Sequence, residues 1–556
     1  MAKTNGAAAL LHLLVDEGVT HLFGNPGTTE LPIMAALPGF PQLKYVLGLQ
    51  EAVVVAMADA YARASGRLTA ANLHVAPGLG NAMGALYGAN FAGAPIIVTA
   101  GQQDQGHGLL EPILAGNLVQ MAQPVCKWAV EMTRGVDLPR VLRRAAKVAL
   151  SPPTGPVFIS LPSDVLAAQA EIDFGTRVRV DSRNRPSTQS LEQLAAMLMA
   201  ASNSVMIVGQ EVSARDAFAE AAALAELAGM AVYQQTMPSS AQFKSEHPAH
   251  LGPLGRNQKR VRAALAPYDF IFCAGADLLR MSLASDVDPL PPGIPVAHLS
   301  ERAWELGKNY RTDLALLGDV KESLAALLPV LRARIAADPG FAARAAQRLS
   351  AMGGRNWSSR RDEAATEAQA AATATPIDPR YFAHRFAEAL PHDAVVVEEA
   401  ATTMEALLTF IRMRDRAGYF GLTSGALGFG IPWAVGAALA LPGRPVAAAI
   451  GDGSAMYALP ALWTAANLQL PITFVIVNNR GYRVLKERLP PWEGKQIFTG
   501  MDLHEPAIDF AGLAQSLGLP SVRVAAPGDL DGALRAGFAS GKPNLVEVRV
   551  ADGYGN

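Results

Sequence analysis

Short apolar runs alternate with stretches of helical spacing along most of this chain. The first series comprises YVLGL, TAANLHV, APIIVTAG and GPVFISLP. Apolar runs of this kind predict strands buried on both faces, and strands separated by helices predict a parallel sheet in an α/β domain. The rhythm restarts in SVMIVGQ, MAVYQQT, FIFCAGA and PVAHLS, and again in AVVVEEA, PVAAAIGDGS, ITFVIVNN and PNLVEVRV. A polar, Arg-bearing stretch, EIDFGTRVRVDSRNRPSTQS, divides the first two series. An Ala- and Arg-rich segment with a ragged apolar stripe precedes the third and reads as a surface helix and linker. The pattern predicts three consecutive parallel-sheet α/β domains at residues 1–165, 187–335 and 378–556, with the linker at 336–377.

Length and composition agree with this reading. A chain of 556 residues exceeds what one growing core accommodates and favours about three or four domains of ordinary size. Half the residues are hydrophobic and 17% are charged, which argues against a disordered chain, and a net charge of −2 points to no nucleic-acid partner. Cys126 and Cys273 lie far apart and provide neither a disulfide framework nor a Cys-based metal spacing, which fits a reducing cytoplasm. The N-terminal stretch lacks a signal-peptide pattern, and later apolar segments are cut by Pro and Gly before membrane-spanning length. The expectation is a cytoplasmic protein with no membrane segment.

Glycine clusters follow strands in the first and third series: HVAPGLGNAMG, TSGALGFGIPWAVG and GDGS. Two such sites can hold two ends of one ligand, although glycines also serve plain strand-to-helix turns. GLGNAMG matches the dinucleotide fingerprint poorly, because apolar APIIVTAG occupies the position where an acidic residue is expected.

The most informative segment is AAAIGDGSAMYALPALWTAANLQLPITFVIVNN. Asp452 ends one predicted strand, a helix is expected from Met456 to about Leu468, and Asn479 ends the next strand. Carboxyl ends of parallel strands point the same way, so the carboxylate and the amide oxygen can converge on one hard cation, magnesium or calcium. Gly453, Ser454 and the helix start offer N–H groups to a diphosphate. By itself GDG is also an ordinary turn.

The chain is similar to the thiamine diphosphate-dependent decarboxylases and carboligases, whose signature opens with GDG and closes with NN. The resemblance spans nearly the whole chain and runs closest to the benzoylformate decarboxylase branch. It is carried by FGNPGTTELP, LGLQEAVVVAMADAYARASG, NLHVAPGLGNAMGAL, VTAGQQ, SGALGFGIP, GDGSAMYALPALWTAA and VNNRGY. The resemblance implies pyrimidine-binding, central and diphosphate-binding domains. It further implies that Asp452, Asn479 and the Gly481 carbonyl bind Mg2+, and that Thr402, Gly453, Ser454 and Tyr482 contact the cofactor. Leu427 would wedge thiamine diphosphate into its bent shape beside the Gly425 backbone. At Ala401 this branch usually places a threonine.

Glu51 stands at a strand-to-helix junction before an apolar helix face, which suggests a buried carboxyl with raised pKa; a helix-start Glu in the dipole field is the plainer alternative. On the resemblance Glu51 faces the pyrimidine ring and activates the cofactor. His74 ends a predicted strand between glycine turns, where an imidazole can exchange protons near neutral pH. A lone His is more often a core residue, but the resemblance places this one at the branch's catalytic histidine. Thr28 falls at an active-site serine and could hold a substrate carboxylate, unless Thr28 or Thr29 caps the helix beginning at ELPIMAAL.

Ser282 occupies the position of a second catalytic histidine, and a serine does not titrate near neutrality. Approximate alignment puts Ile113, Leu114, Val484 and Leu485 in the pocket wall, an apolar lining suited to an aromatic or branched side chain. His107 reads as a solvated loop histidine. The expected function is non-oxidative decarboxylation of a benzoylformate-like 2-oxo acid to an aldehyde. The alternative is a carboligase or 2-hydroxyacyl lyase with an aldehyde or acyl-CoA acceptor. The resemblance also implies a homodimer or homotetramer, with active sites between one chain's first domain and another's third.

Overall fold

The computed structural model describes residues 2–282, 284–489 and 497–553. Its architecture is three α/β domains, each built on a six-stranded, wholly parallel sheet covered by helices. The central strands Ile96–Gln102, Val157–Pro162 and Ile472–Asn478 lie almost entirely in the core, as strands sandwiched between helix layers must.

The first sheet runs, from edge to edge, Lys44–Leu47, His21–Gly24, Thr69–Leu73, Ile96–Gln102, Val157–Pro162, Trp128–Glu131. The third runs Tyr419–Phe420, Val395–Glu399, Val446–Gly451, Ile472–Asn478, Asn544–Arg549, Ser521–Val524. Numbered by position within their own domain, both follow the order 2-1-3-4-6-5. The central sheet instead runs 3-2-1-4-5-6, with Ser204–Val208 beside Phe270–Ala274 at its middle. In the first and third domains the order reverses between the first and third strands, and a crevice opens there beyond the carboxyl ends.

The matching topology extends to how these domains meet. In each, the second strand leads into a long helix, Glu51–Ser65 or Gly430–Ala440, and these two helices pack on each other. Contact is close enough that a Cβ on Gly436 would lie 2.2 Å from the Met57 carbonyl oxygen, so only glycine fits. Trp433 Nε1 donates to Asp59 at 3.0 Å, and the Arg63 guanidinium stacks 4.7 Å over the Trp433 ring. Arg63 also donates to Thr423 of the third domain and to the Ser239 carbonyl of the central one. Burial on two sides explains why Glu51–Ser65 is apolar around most of its circumference, and it ends on Gly66 in the left-handed conformation.

Two segments differ from expectation. The first domain continues past residue 165, because Ala2–Asn5 pairs antiparallel with Gln169–Ile172. Residues 336–377 form two helices, Phe341–Ala351 and Trp357–Ala370, rather than one helix and a linker. Trp357 is buried and donates to the Leu408 carbonyl, so this segment is packed between the central and third domains. Among the described residues, no helix is long and apolar enough to cross a membrane.

Candidate active site

In the first domain the switch crevice gathers residues that follow three strands. Glu51 opens its helix after Gln50, whose side chain caps the amide of Val53. The Glu51 carboxylate is 8% exposed and accepts from Asn25 Nδ2 at 3.2 Å and Asn81 Nδ2 at 3.0 Å. Gly78 lies against it, with a position for Cβ only 3.3 Å from Oε1. The Glu51 side chain is thus buried, and the helix that it opens is capped by Gln50.

His74 follows Thr69–Leu73 and precedes Val75, whose φ of 43° is a costly conformation for a β-branched residue. Nδ1 of His74 lies 2.7 Å from Oε2 of the fully buried Glu30. Three further donors hold the Glu30 carboxylate: the amides of Gly27 and Gly101 and the Thr29 hydroxyl. Gly27 and Gly101 are required by contact, since a Cβ at either would lie 2.0 Å from the His74 ring or from Glu30. Thr28 is exposed at the start of the turn Thr28–Glu30, and neither threonine caps it; the Glu30 carboxylate returns to the Gly27 amide instead. Glu30, Asn25 and Asn81 were not singled out from the sequence, although Glu30 stands in the FGNPGTTELP motif.

In the third domain Val446–Gly451 and Ile472–Asn478 are neighbours, with Gly451 opposite Val477. Asp452 and Asn479 therefore emerge side by side. Asp452 Oδ2 and Asn479 Oδ1 both accept from the Gly481 amide, at 3.1 and 3.2 Å. Burial pushes the Asp452 carboxyl up to about 6 against the pull of backbone amides. The helix expected from Met456 to about Leu468 starts only at Pro460 and runs to Asn467, with Pro460 at its first position, where a missing N–H costs nothing; a separate short helix, Asp452–Ala455, precedes it.

A cavity opens at this point, lined by Ala400, Ala401, Thr402, Thr403, Leu427, Asp452, Gly453, Ser454, Asn479, Gly481, Tyr482 and Val484 among others. The Tyr482 ring packs so close over Gly453 that a Cβ there would fall 2.5 Å away. Gly425, at φ 84°, lies on the turn leading to Leu427.

The other expected wall residues stand apart from this cavity within one chain. Ile113 is 86% exposed, Leu485 and Ser282 are exposed, and Leu114 is half-buried at φ 74°. His107 is exposed on the turn Gln105–Leu110.

The donor chemistry fits a hard cation carrying a diphosphate. A buried carboxylate and an amide oxygen converge beside glycine amides, and among the described residues no cluster of three His, Cys, Asp or Glu side chains forms a separate metal cage. A cation held by few protein oxygens and completed by phosphates suits magnesium.

Residues 4–117, 191–327 and 399–548 match the N-terminal TPP binding, central and C-terminal TPP binding domains of thiamine pyrophosphate enzymes. The chain belongs to the thiamine pyrophosphate enzyme family. It is 33% identical to a benzoylformate decarboxylase from Pseudomonas aeruginosa, over 97% of this chain and 98% of that one. The structure is similar to the thiamine diphosphate-dependent 4-hydroxybenzoylformate decarboxylase of Rhodococcus jostii RHA1, with a TM-score of 0.85, 30% identity and 99% of each chain covered. An acetolactate synthase from Mycobacterium bovis is 27% identical over 94% of this chain and 84% of its own length.

Proposed function

We propose that the protein decarboxylates a 2-oxo acid with an aromatic or branched side chain and releases the aldehyde. The observation that carries this reading is in the first domain, where a buried glutamate and a glutamate-bound histidine both follow the carboxyl ends of strands of one parallel sheet. Asp452, Asn479 and the Gly481 carbonyl would hold Mg2+, with Thr402, Gly453, Ser454 and Tyr482 around the diphosphate and Gly425 and Leu427 beside the rings. When bound, thiamine diphosphate supplies the electron sink that carbon–carbon cleavage next to a carbonyl requires.

The chain's own part is to position and to move protons. Glu51, fixed by Asn25 and Asn81, holds its carboxyl toward the pyrimidine end of the site and exchanges the activating proton. Because the Glu30 carboxylate accepts, Nδ1 of His74 carries the proton and the neutral ring has its lone pair at Nε2. Nε2 is then the atom that gives and recovers protons at the reacting carbon, and Thr28 would bind the substrate carboxylate. Ile113, Leu114, Val484 and Leu485 would form the apolar wall that excludes water.

A homodimer is the smallest unit that completes this site, and a homotetramer would pair two of them. Support comes from the cavity around Asp452, lined by third-domain residues, and from exposed apolar side chains near both halves: Leu109, Leu110 and Ile113 on one, Met456 and Tyr457 on the other. The buried, unpaired Cys126 and Cys273 fit a reducing cytoplasm.

A second reading is carboligation, favoured by Ser282 at the position of an imidazole and by the likeness to acetolactate synthase. Product analysis with benzoylformate, pyruvate and aldehyde mixtures separates the two. Free aldehyde and carbon dioxide in stoichiometric amounts support the decarboxylase; acyloin or acetohydroxy acid as main product supports the carboligase.

A further inference from the structure

Leu427 and Gly425 lie on a turn that has few hydrogen bonds of its own. Residues 421–429 form neither helix nor strand, and inside the turn the Ala426 amide reaches only the Ser424 hydroxyl, at 3.4 Å. The turn is secured from outside. Immediately after Leu427, the amides of Gly428, Phe429 and Gly430 donate to the Glu399 carboxylate at 2.6, 3.4 and 2.7 Å. Oε1 takes the first two and Oε2 the third.

These amides belong to the start of Gly430–Ala440, whose N-cap residue Phe429 makes no side-chain cap. Glu399 therefore caps that helix from a different element, the strand Val395–Glu399. The next residues of the chain, 400–403, line the cavity around Asp452. One carboxylate thus joins a wall of that cavity to the turn that presents Leu427.

The fit is tight on every side. Glu399 is 1% exposed. Gly428 has φ 93°, and a Cβ there would meet the Tyr457 side chain at 2.7 Å. A Cβ on Gly430 would lie 2.3 Å from Ile450 and 2.9 Å from Cβ of Glu399. Glycines at both positions let the backbone come down onto the carboxylate. Both oxygens act as acceptors, a role that an amide side chain fills with only one of its two terminal atoms.

We propose that Glu399 is a positioning residue for the cofactor, which clasps three successive amides and so sets where Leu427 stands in the cavity. The proposal rests on the cofactor reading of Leu427 given above. Glu399 touches neither substrate nor cofactor; it acts through the turn.

The test is a double-mutant cycle on the full-length chain, read as thiamine diphosphate affinity. Apoenzyme is titrated with the cofactor at saturating Mg2+ and followed by tryptophan fluorescence. Glu399→Gln should raise the dissociation constant roughly tenfold to a hundredfold, the scale of leaving a buried amide without its acceptor. Leu427→Ala should weaken binding as well. In the Leu427→Ala background the further effect of Glu399→Gln should shrink to less than about threefold, because the side chain that the clasp positions is gone. Glu399→Asp keeps both acceptor oxygens but falls one methylene short, and should give an intermediate loss. It also serves if the Gln variant is recovered unfolded.

Wild-type affinity in either Glu399 variant overturns the proposal. So does an equal penalty with and without Leu427, which would make Glu399 a plain helix cap. Unchanged affinity in Leu427→Ala alone would instead remove the cofactor reading of Leu427, a different failure from loss of coupling.

Discussion

Oε2 of Glu30 lies 2.7 Å from Nδ1 of His74, and the same carboxylate is fixed by the amides of Gly27 and Gly101 and the Thr29 hydroxyl. The histidine is oriented by a group with no freedom of its own. Glu30→Gln can turn its amide nitrogen toward Nδ1 and so favour the wrong tautomer. We expect a fall in kcat/KM of roughly tenfold to a hundredfold, similar to the loss of other orienting partners of histidine. Thiamine diphosphate affinity should stay within twofold of wild type. Equal losses in both quantities would mean that Glu30 supports the whole crevice rather than the imidazole.

His74→Ala should cost about two to four powers of ten in kcat/KM, the range for positioned acid–base groups. Ser282→Ala should cost less than about threefold, since Ser282 is exposed and stands outside the cavity around Asp452. Wild-type kcat/KM in His74→Ala would remove His74 from the chemistry, and a Ser282→Ala loss as large as that of His74→Ala would favour carboligation.

The sequence predicted the inner strands better than the outer ones, for a physical reason. In the second and third sheets the four inner strands stand among the apolar runs noted above, whereas the edge strands are short or polar: LALL at Leu314–Leu317 is apolar but only four residues long, Tyr419–Phe420 has two residues, and His250–Pro253 and Ser521–Val524 carry polar ones. Leu314–Leu317 buries alternate residues and Ser521–Val524 only Val524, so these two need few apolar residues to hold their places. In the first sheet His21–Gly24 is fully buried, but at four residues opening on a histidine it is not among the apolar runs. Asp452 and Asn479 were legible because adjacent parallel strands deliver them together. Glu30, Asn25, Asn81 and Glu399 were not, because none of their bonds joins the ends of two strands that the apolar runs reveal.

Asp452→Ala should abolish cofactor retention. The buried carboxylate is the strongest oxygen donor in its cavity, and the remaining amide oxygen of Asn479 carries no charge. Gel filtration with a chelator should strip wild-type activity, and recovery should require magnesium and thiamine diphosphate together. Recovery with either one alone would refute the proposed metal–diphosphate anchor.

Glu398 gives a stability prediction. It is buried, accepts from the Ala400 amide and the Tyr419 hydroxyl, and burial pushes its carboxyl up from 4.5 to about 7. A folded-state pKa above the unfolded one contributes stability that is complete below about 4.5 and is lost as pH rises through about 7. The loss is on the order of 3 kcal/mol. Glu398→Gln has no such proton to lose, so its apoenzyme Tm should gain on the wild type progressively from pH 5 to pH 8. Parallel Tm curves across that range would mean that Glu398 is already ionised in the fold.

Glu51 allows binding to be separated from activation. Its carboxylate accepts one bond from Asn25 and one from Asn81, and the residue is 8% exposed at the head of a helix held between two domains. Glu51→Gln keeps shape and volume, so the helix and its packing on Gly430–Ala440 should survive, with a Tm within a few degrees of wild type. One of the two asparagine amides would then face a donor, a local cost of about 1–3 kcal/mol. Cofactor affinity should change little, because the diphosphate end of the site belongs to the third domain. The loss should fall on proton exchange. Hydrogen–deuterium exchange at C2 of bound thiamine diphosphate, followed by quenched NMR, should slow by at least about a hundredfold. Asn81→Ala should slow it less, since the carboxyl remains and only one of its two supports is gone. Wild-type exchange in Glu51→Gln would remove Glu51 from the chemistry and leave it a helix-start carboxylate in the dipole field.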